Sequence, residues 1–228
     1  MMTTDAVHIA PSHFATRART ATDLRMGGGL LFLAGATILM GIITAEALYP
    51  GTFSTGANEI SDLGGTRPPN SVIHQPSATL FNLSMLFVGI AVMASAWFIH
   101  RAFGRRSVTT PVALLGIGAL GVGLFPGNTG APHALFSMVT FFAGGITAIA
   151  AARVASGPFR YLSGALGVVA LVALASTFLG EDSPLGPLGI GGIERWIAYP
   201  VVLWLTAFGG YLSGRGESVK DEAGEGRG

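Results

Sequence analysis

Six apolar stretches, each separated from the next by a short polar or glycine- and proline-rich segment, organise the chain at about 27–48, 76–99, 109–125, 133–152, 161–179 and 194–213. A helix needs roughly 20 consecutive apolar residues to cross a hydrocarbon core, and each stretch meets or approaches that length. The pattern predicts an all-α, polytopic membrane protein built as a bundle of six transmembrane helices. The third stretch is the shortest and ends at Phe125-Pro126-Gly127-Asn128, a turn that no helix continues through. Arg17, Arg19 and Arg25 precede the first stretch, and Ala45-Glu46-Ala47 resembles a signal-peptidase site. The stretch is longer than a signal peptide's apolar core, however, so it is read as a retained span.

Composition strengthens this picture. Half of the 228 residues are hydrophobic and 11% are charged, against about a quarter charged in soluble domains. The 34 glycines fall inside apolar runs, where small residues let helix backbones approach each other in lipid. A net charge of +1 leaves no basic face for nucleic acid. The absence of cysteine removes disulfides, thiolate zinc sites, iron–sulfur clusters and thiol catalysis. No cofactor and no metal is assigned.

Basic residues orient the bundle, because Lys and Arg near helix ends resist translocation. Arg17, Arg19, Arg25, Arg101, Arg105, Arg106, Arg153, Arg160, Arg215, Lys220 and Arg227 fall on one side, and only Arg67 and Arg195 on the other. The first side is therefore expected to be cytoplasmic, with both termini there, in a multi-pass protein of the cell membrane. Three segments follow: 1–26, a mobile cytoplasmic lead in which Phe14 and the arginines rest on lipid; 27–213, the membrane domain; and 214–228, a charged, glycine-rich disordered tail.

The three connections on the other side differ in kind. Residues 49–75 form a long polar loop, 126–132 a tight turn, and 180–193 a Gly/Pro-rich link opening on Glu181-Asp182. Long loops without obvious structure are often functional. Tyr49-Pro50-Gly51 with Thr55-Gly56-Ala57 is echoed by Phe125-Pro126-Gly127 with Thr129-Gly130-Ala131, through either duplication of a helical hairpin or shared turn chemistry.

Polar groups collect on this outer side. Asp62, His74, Asn128, His133, Glu194 and Arg195 are the leading candidates for an outer vestibule, with Glu46, Glu59, Arg67 and Glu181 behind them. A carboxylate near membrane depth faces a partner or a wet cavity, so Glu46 either snorkels or turns inward to Arg195 or a histidine. Glu194 and Arg195 are adjacent and cannot share a helix face. One is expected to line the bundle while the other holds headgroups or an outer loop, Arg195 pairing with Asp62 or Glu46. His74 and His133 are capping or interfacial groups, proton carriers or ligand contacts; they carry no metal-site spacing. His8, His13 and His100 fall on the cytoplasmic side. Ser61-Asp62 offers a hydroxyl beside an acid, a pair that more often caps a turn.

No GxSxG elbow, Walker loop, GxGxxG fingerprint or voltage-sensor arginine series is present. Three segments, however, Ile60-Ser61-Asp62-Leu63-Gly64 after the outer Tyr-Pro turn, Gly123-Leu124-Phe125-Pro126-Gly127 before His133, and Gly192-Ile193-Glu194-Arg195 at the last helix, together resemble the prokaryotic membrane proteins grouped as domain of unknown function 998. That resemblance spans about 27–213 and implies a six-helix fold without implying a reaction.

Three functions fit. The leading one is a binding or transport protein whose outer vestibule takes a lipid headgroup, ion or small solute. The second is an intramembrane enzyme on a lipid-linked substrate, with Asp62 or Glu194 as base, a histidine carrying the proton and Arg195 holding an anion. The third is a structural or accessory subunit. Membrane lipids are the expected partners, together with a second copy of the chain or another membrane protein; nucleic acid is excluded.

Overall fold

A computed structural model describes the backbone of residues 11–225 and the side chains of 16–222 other than that of Glu181. Its six helices are α1 (Pro11–Ala47), α2 (Ser77–Phe103), α3 (Arg106–Leu124), α4 (Ala131–Ala151), α5 (Gly157–Ser176) and α6 (Gly189–Glu225). No strand occurs among the described residues, and all six helices are long and apolar enough to cross a membrane. The chain is thus an all-α, multi-pass membrane protein. Large apolar side chains such as Met40, Leu83, Ile90, Trp97, Leu135 and Val172 point outward, where acyl chains replace water as solvent.

Consecutive helices pack side by side and α6 returns to α1, closing a ring. Loop 49–76, turn 125–130 and link 177–188 gather on one end, here the loop face; most of the basic residues cluster on the opposite, arginine face. Two differences from the sequence reading arise at the chain's ends. Helix α1 begins at Pro11, so much of the lead is helical. Helix α6 runs to Glu225, through most of the tail expected to be disordered. At 37 residues each, both helices are about 55 Å long by helical rise, well beyond the hydrocarbon thickness. They are stabilised by each other: Ala21 and Leu24 are buried, and a side chain at Gly216 would run into the Ala21 carbonyl and the Arg25 backbone. Asp23, also buried, pairs with Arg101 of α2 at 3.3 Å. Expectations for residues 1–10, the side chains of His13 and Phe14, and residues 226–228 with Arg227 fall outside what is described.

The α1–α6 seam explains part of the glycine content. A Cβ on Gly209 would lie 2.4 Å from the Phe32 nitrogen and 2.6 Å from the Gly28 oxygen, and one on Gly28 would lie 2.5 Å from the Gly209 oxygen. Gly145 and Gly167 make a similar contact between α4 and α5. In lipid the helices gain no hydrophobic drive to associate, so backbone-to-backbone approach supplies the dispersion contact.

Loop 49–76 folds back onto the bundle as a plug. Ile60–Leu63 form a turn of 3-10 helix with Ile60 and Leu63 buried. Ser77 Oγ donates to the Leu63 carbonyl at 3.3 Å and Asn82 Nδ2 to the Gly64 carbonyl at 3.2 Å, tying the plug to α2. On α6, Gly191 lies so close to the Asn58 and Thr55 carbonyls that any side chain would collide with them, and its N–H donates to the Gly56 carbonyl at 2.9 Å.

Candidate functional site

Glu194 and Arg195, in the second turn of α6, diverge as adjacent helical residues must. Arg195 turns to the α1 side. Its Nη2 meets Glu46 Oε1 at 2.5 Å, while Nη1 donates to the carbonyls of Thr55 (2.8 Å), Asn58 (3.0 Å) and Gly191 (2.9 Å). Its guanidinium also lies 5.7 Å from the centre of the Phe53 ring. One cation therefore fastens α1, the plug and α6, and between the two partners considered for it, the structure selects Glu46. That arrangement is a structural clamp, since both terminal nitrogens are spent on protein groups and only the buried Nε lacks a partner.

Glu194 turns inward. It is 8% exposed, and its Oε2 accepts a short hydrogen bond from the Ile60 N–H at the tip of the plug. It lines a cleft of about 850 Å³ between α4, α6, the loop-face end of α5 and the plug. The apolar wall includes Met138, Phe141, Leu174, Ile190, Ile193 and Ile197; the polar groups are Glu59, Arg67, His133, Ser137, Thr177 and Glu194. A second cavity of about 90 Å³ lies in the bundle centre among residues of α1, α2, α3, α4 and α6. Glu194, Ser137 and Phe141 line both spaces, so they form the partition between cleft and centre.

His133, 2% exposed, sits where α4 begins. Its Nδ1 lies 2.8 Å from the Phe125 carbonyl, which can only accept, so Nδ1 carries the proton. Nε2 is then a lone-pair acceptor and takes the Ser137 hydroxyl at 3.1 Å. Arg67 pairs with Glu59 at 2.7 Å, with the arginine half in solvent and the glutamate nearly enclosed. Burial, the larger influence, pushes the Glu59 carboxyl above its ordinary value; Arg67 opposes this and Asp62 adds to it.

This shift has a pH signature. A carboxyl whose folded-state pKa is raised lends stability that is complete below the unfolded value, about 4.3, and lost as pH climbs through the folded value. Wild type is therefore expected to lose some thermal stability from about pH 4.3 upward, and Glu59→Gln to flatten that part of the profile. An unchanged profile in Glu59→Gln would assign the trend to another group.

The remaining candidates take other places. Asp62 caps its own turn, Oδ2 accepting the Glu59 N–H at 3.0 Å, as the Ser61-Asp62 reading allowed. His74 packs edge-on against Tyr49 with ring centres 4.7 Å apart. Asn128 lies in the turn before α4, its buried Oδ1 without a partner and against Gly65. None of these three lines either cavity. Glu181 lies in the α5–α6 link, and its side chain is outside what is described. Among the described residues no group of three or more His, Asp or Glu is arranged to hold a metal ion. The structure thus brings His133, Glu194, Glu59 and Arg67 to one cleft and leaves Asp62, His74, Asn128 and Arg195 outside it. Ser137 was missed because a lone serine in an apolar run reads as core; its position four residues after His133, one helical turn, was the available signal.

Comparison with known proteins gives one match. A family model described as Protein of unknown function (DUF998) covers residues 32–211, from α1 to the seam with α6. No curated protein and no solved structure matches.

Proposed function

The chain belongs to the family of proteins of unknown function DUF998, and from that premise we propose that it is a binding protein of the cell membrane. Its loop face would look out of the cell, and its cleft would take an amphipathic small molecule, foremost a membrane lipid by its headgroup. The single observation that carries this reading is the make-up of the cleft, apolar along α4, α5 and α6 and polar where the plug meets Glu194 and His133. A site of several hundred Å³ with apolar walls and a few convergent polar groups is the usual form of a small-molecule pocket. Eleven of the thirteen basic residues on the opposite side support the orientation.

The test is photo-crosslinking of the purified full chain with a phospholipid bearing a diazirine on its acyl chain. Label is expected on 133–141 and 190–197. Met138→Trp, which fills the apolar wall, is expected to cut that labelling about tenfold, the worth of one side chain's apolar surface (about 1.5 kcal/mol). Label spread over outward positions such as Leu83, Ile90 and Trp97, with the cleft unlabelled, would overturn the reading.

The Ser137–His133 contact supports a second reading, acyl transfer from a lipid-linked substrate, because nucleophile and base lie within hydrogen-bond reach. Against it, the ring is oriented by a neutral carbonyl in place of the carboxylate that would stabilise an imidazolium. An alkyl fluorophosphonate that labels wild type and not Ser137→Ala would support this chemistry; no labelling of wild type would dismiss it.

A further inference from the structure

Of the two carboxylates that line the cleft, Glu59 and Glu194, charge pairing leaves Glu194 without a cation. Arg195 is matched by Glu46 and Arg67 by Glu59, while among the described residues no cation lies within ion-pair distance of Glu194. The neighbouring groups do not make up the deficit. His133 has both ring nitrogens committed, Nδ1 to the Phe125 carbonyl and Nε2 to the Ser137 hydroxyl, and makes no contact with Glu194. Glu59 adds negative charge nearby, while Arg67 and Arg195 act on Glu194 only from a distance, each being in contact with another carboxylate. The Ile60 N–H supplies Glu194 with one neutral hydrogen bond to Oε2, which orients the carboxylate without cancelling it. A buried carboxylate is stable where a partner of opposite charge can reach it, and the aromatic ring of Phe141 belongs to the same wall.

We propose that the cleft is selective for a positively charged, ammonium-bearing amphiphile, its nitrogen against Glu194 and its apolar chain along Met138, Ile190 and Ile197, with Phe141 at the entrance to the central cavity. The proposal rests on the cleft being a binding site and deepens it by fixing the sign of the headgroup. Two sources share this chemistry, a membrane lipid with an amino-alcohol headgroup and a free long-chain amine. An anionic headgroup is disfavoured, because the one exposed cation at the rim, Arg67, already carries Glu59.

The test uses three probes of equal chain length, octylammonium, octanol and octanoate, titrated against the full chain in micelles of a non-ionic maltoside detergent, which carries no ammonium group. Octylammonium is expected to bind roughly tenfold or more tighter than octanol, octanoate weakest, as one partly desolvated charge pair would give. Glu194→Gln keeps an amide oxygen for the Ile60 N–H and removes only the charge, so it is expected to erase the preference while octanol binds as before. Repeating the titration in phosphatidylethanolamine nanodiscs separates the sources: loss of octylammonium binding there marks the lipid headgroup as competitor, and unchanged binding marks a free amine. Equal binding of octanol and octylammonium by wild type, or a preference that survives in Glu194→Gln, would overturn the inference. Failure of all three probes would overturn the binding site itself, a distinct outcome. Should Glu194→Gln fold poorly, the ranking of the three probes on wild type still decides.

Discussion

Arg195→Met is expected to destabilise the protein by about 3–5 kcal/mol, the usual cost of breaking a buried ion pair from one side, and to release the plug. Methionine has similar length and apolar reach but no donors. Glu46 would be left without its cation, and the Thr55, Asn58 and Gly191 carbonyls without the Nη1 hydrogens they now share. The measurement is amide hydrogen exchange in detergent: protection of residues 54–60 should fall sharply, while that of α2 and α3 changes little. Glu46→Gln should cost less, because an amide oxygen still accepts from Nη2. Unchanged protection of 54–60 in Arg195→Met would mean that packing of Ile60 and Leu63 and the hydrogen bonds to Ser77, Asn82, Gly191 and Glu194 hold the plug without it.

Gly209→Leu is expected to prevent stable assembly of the bundle, at a cost of about 3 kcal/mol or more. The reason is that the atoms in the way are backbone. A side chain at 209 points into the Phe32 nitrogen and the Gly28 oxygen, which can move only if α1 moves as a whole, and α1 also carries Glu46 and the plug. Gly210 is the matched control. It faces open space, so Gly210→Ala should be neutral or raise the melting temperature, since alanine favours helix over glycine by up to about 1 kcal/mol. A Gly209→Leu variant that matches Gly210→Ala in folded yield and thermal unfolding in one detergent would show that the seam does not exclude a side chain at this position.

The six spans were legible because crossing lipid demands long apolar runs, and nothing else in the chain satisfies that demand. Their ends were less so. Residues 11–26 and 214–225 carry too much charge and glycine to read as buried helix; the mutual packing of Ala21, Leu24 and Gly216, with the Asp23–Arg101 pair and the Arg215 bond to Val154, holds them in register. The split of Glu194 and Arg195 followed from helical geometry alone. What could not be read was the path of the long loop. Because it doubles back, Glu59 and Arg67, second in rank by sequence, reach the cleft, whereas Asp62 closes a local turn and His74 packs edge-on against Tyr49. Proximity along the chain says nothing about such a fold-back; the two buried apolar residues of that loop, Ile60 and Leu63, were its trace.

Helix α5 is fastened at one end only. Near the arginine face Trp204 Nε1 donates to Ser163 Oγ at 2.8 Å, and Ser163 donates onward to the Ala148 carbonyl at 2.6 Å. Ser156 N–H donates to the Tyr211 hydroxyl at 2.9 Å, and Arg215 to the Val154 carbonyl at 2.8 Å. The Trp204–Ser163–Ala148 bonds are buried, where no water stands ready to replace them, so this end is a fulcrum. Toward the loop face, Ser176 and Thr177 spend their hydroxyls on their own helix, and apolar contacts of Leu174 with Ile193 and Ile197 hold the tip. A wedge beside Leu174 would thus work on a lever whose far end stays pinned, so displacement of this helix is expected to be largest toward the loop face.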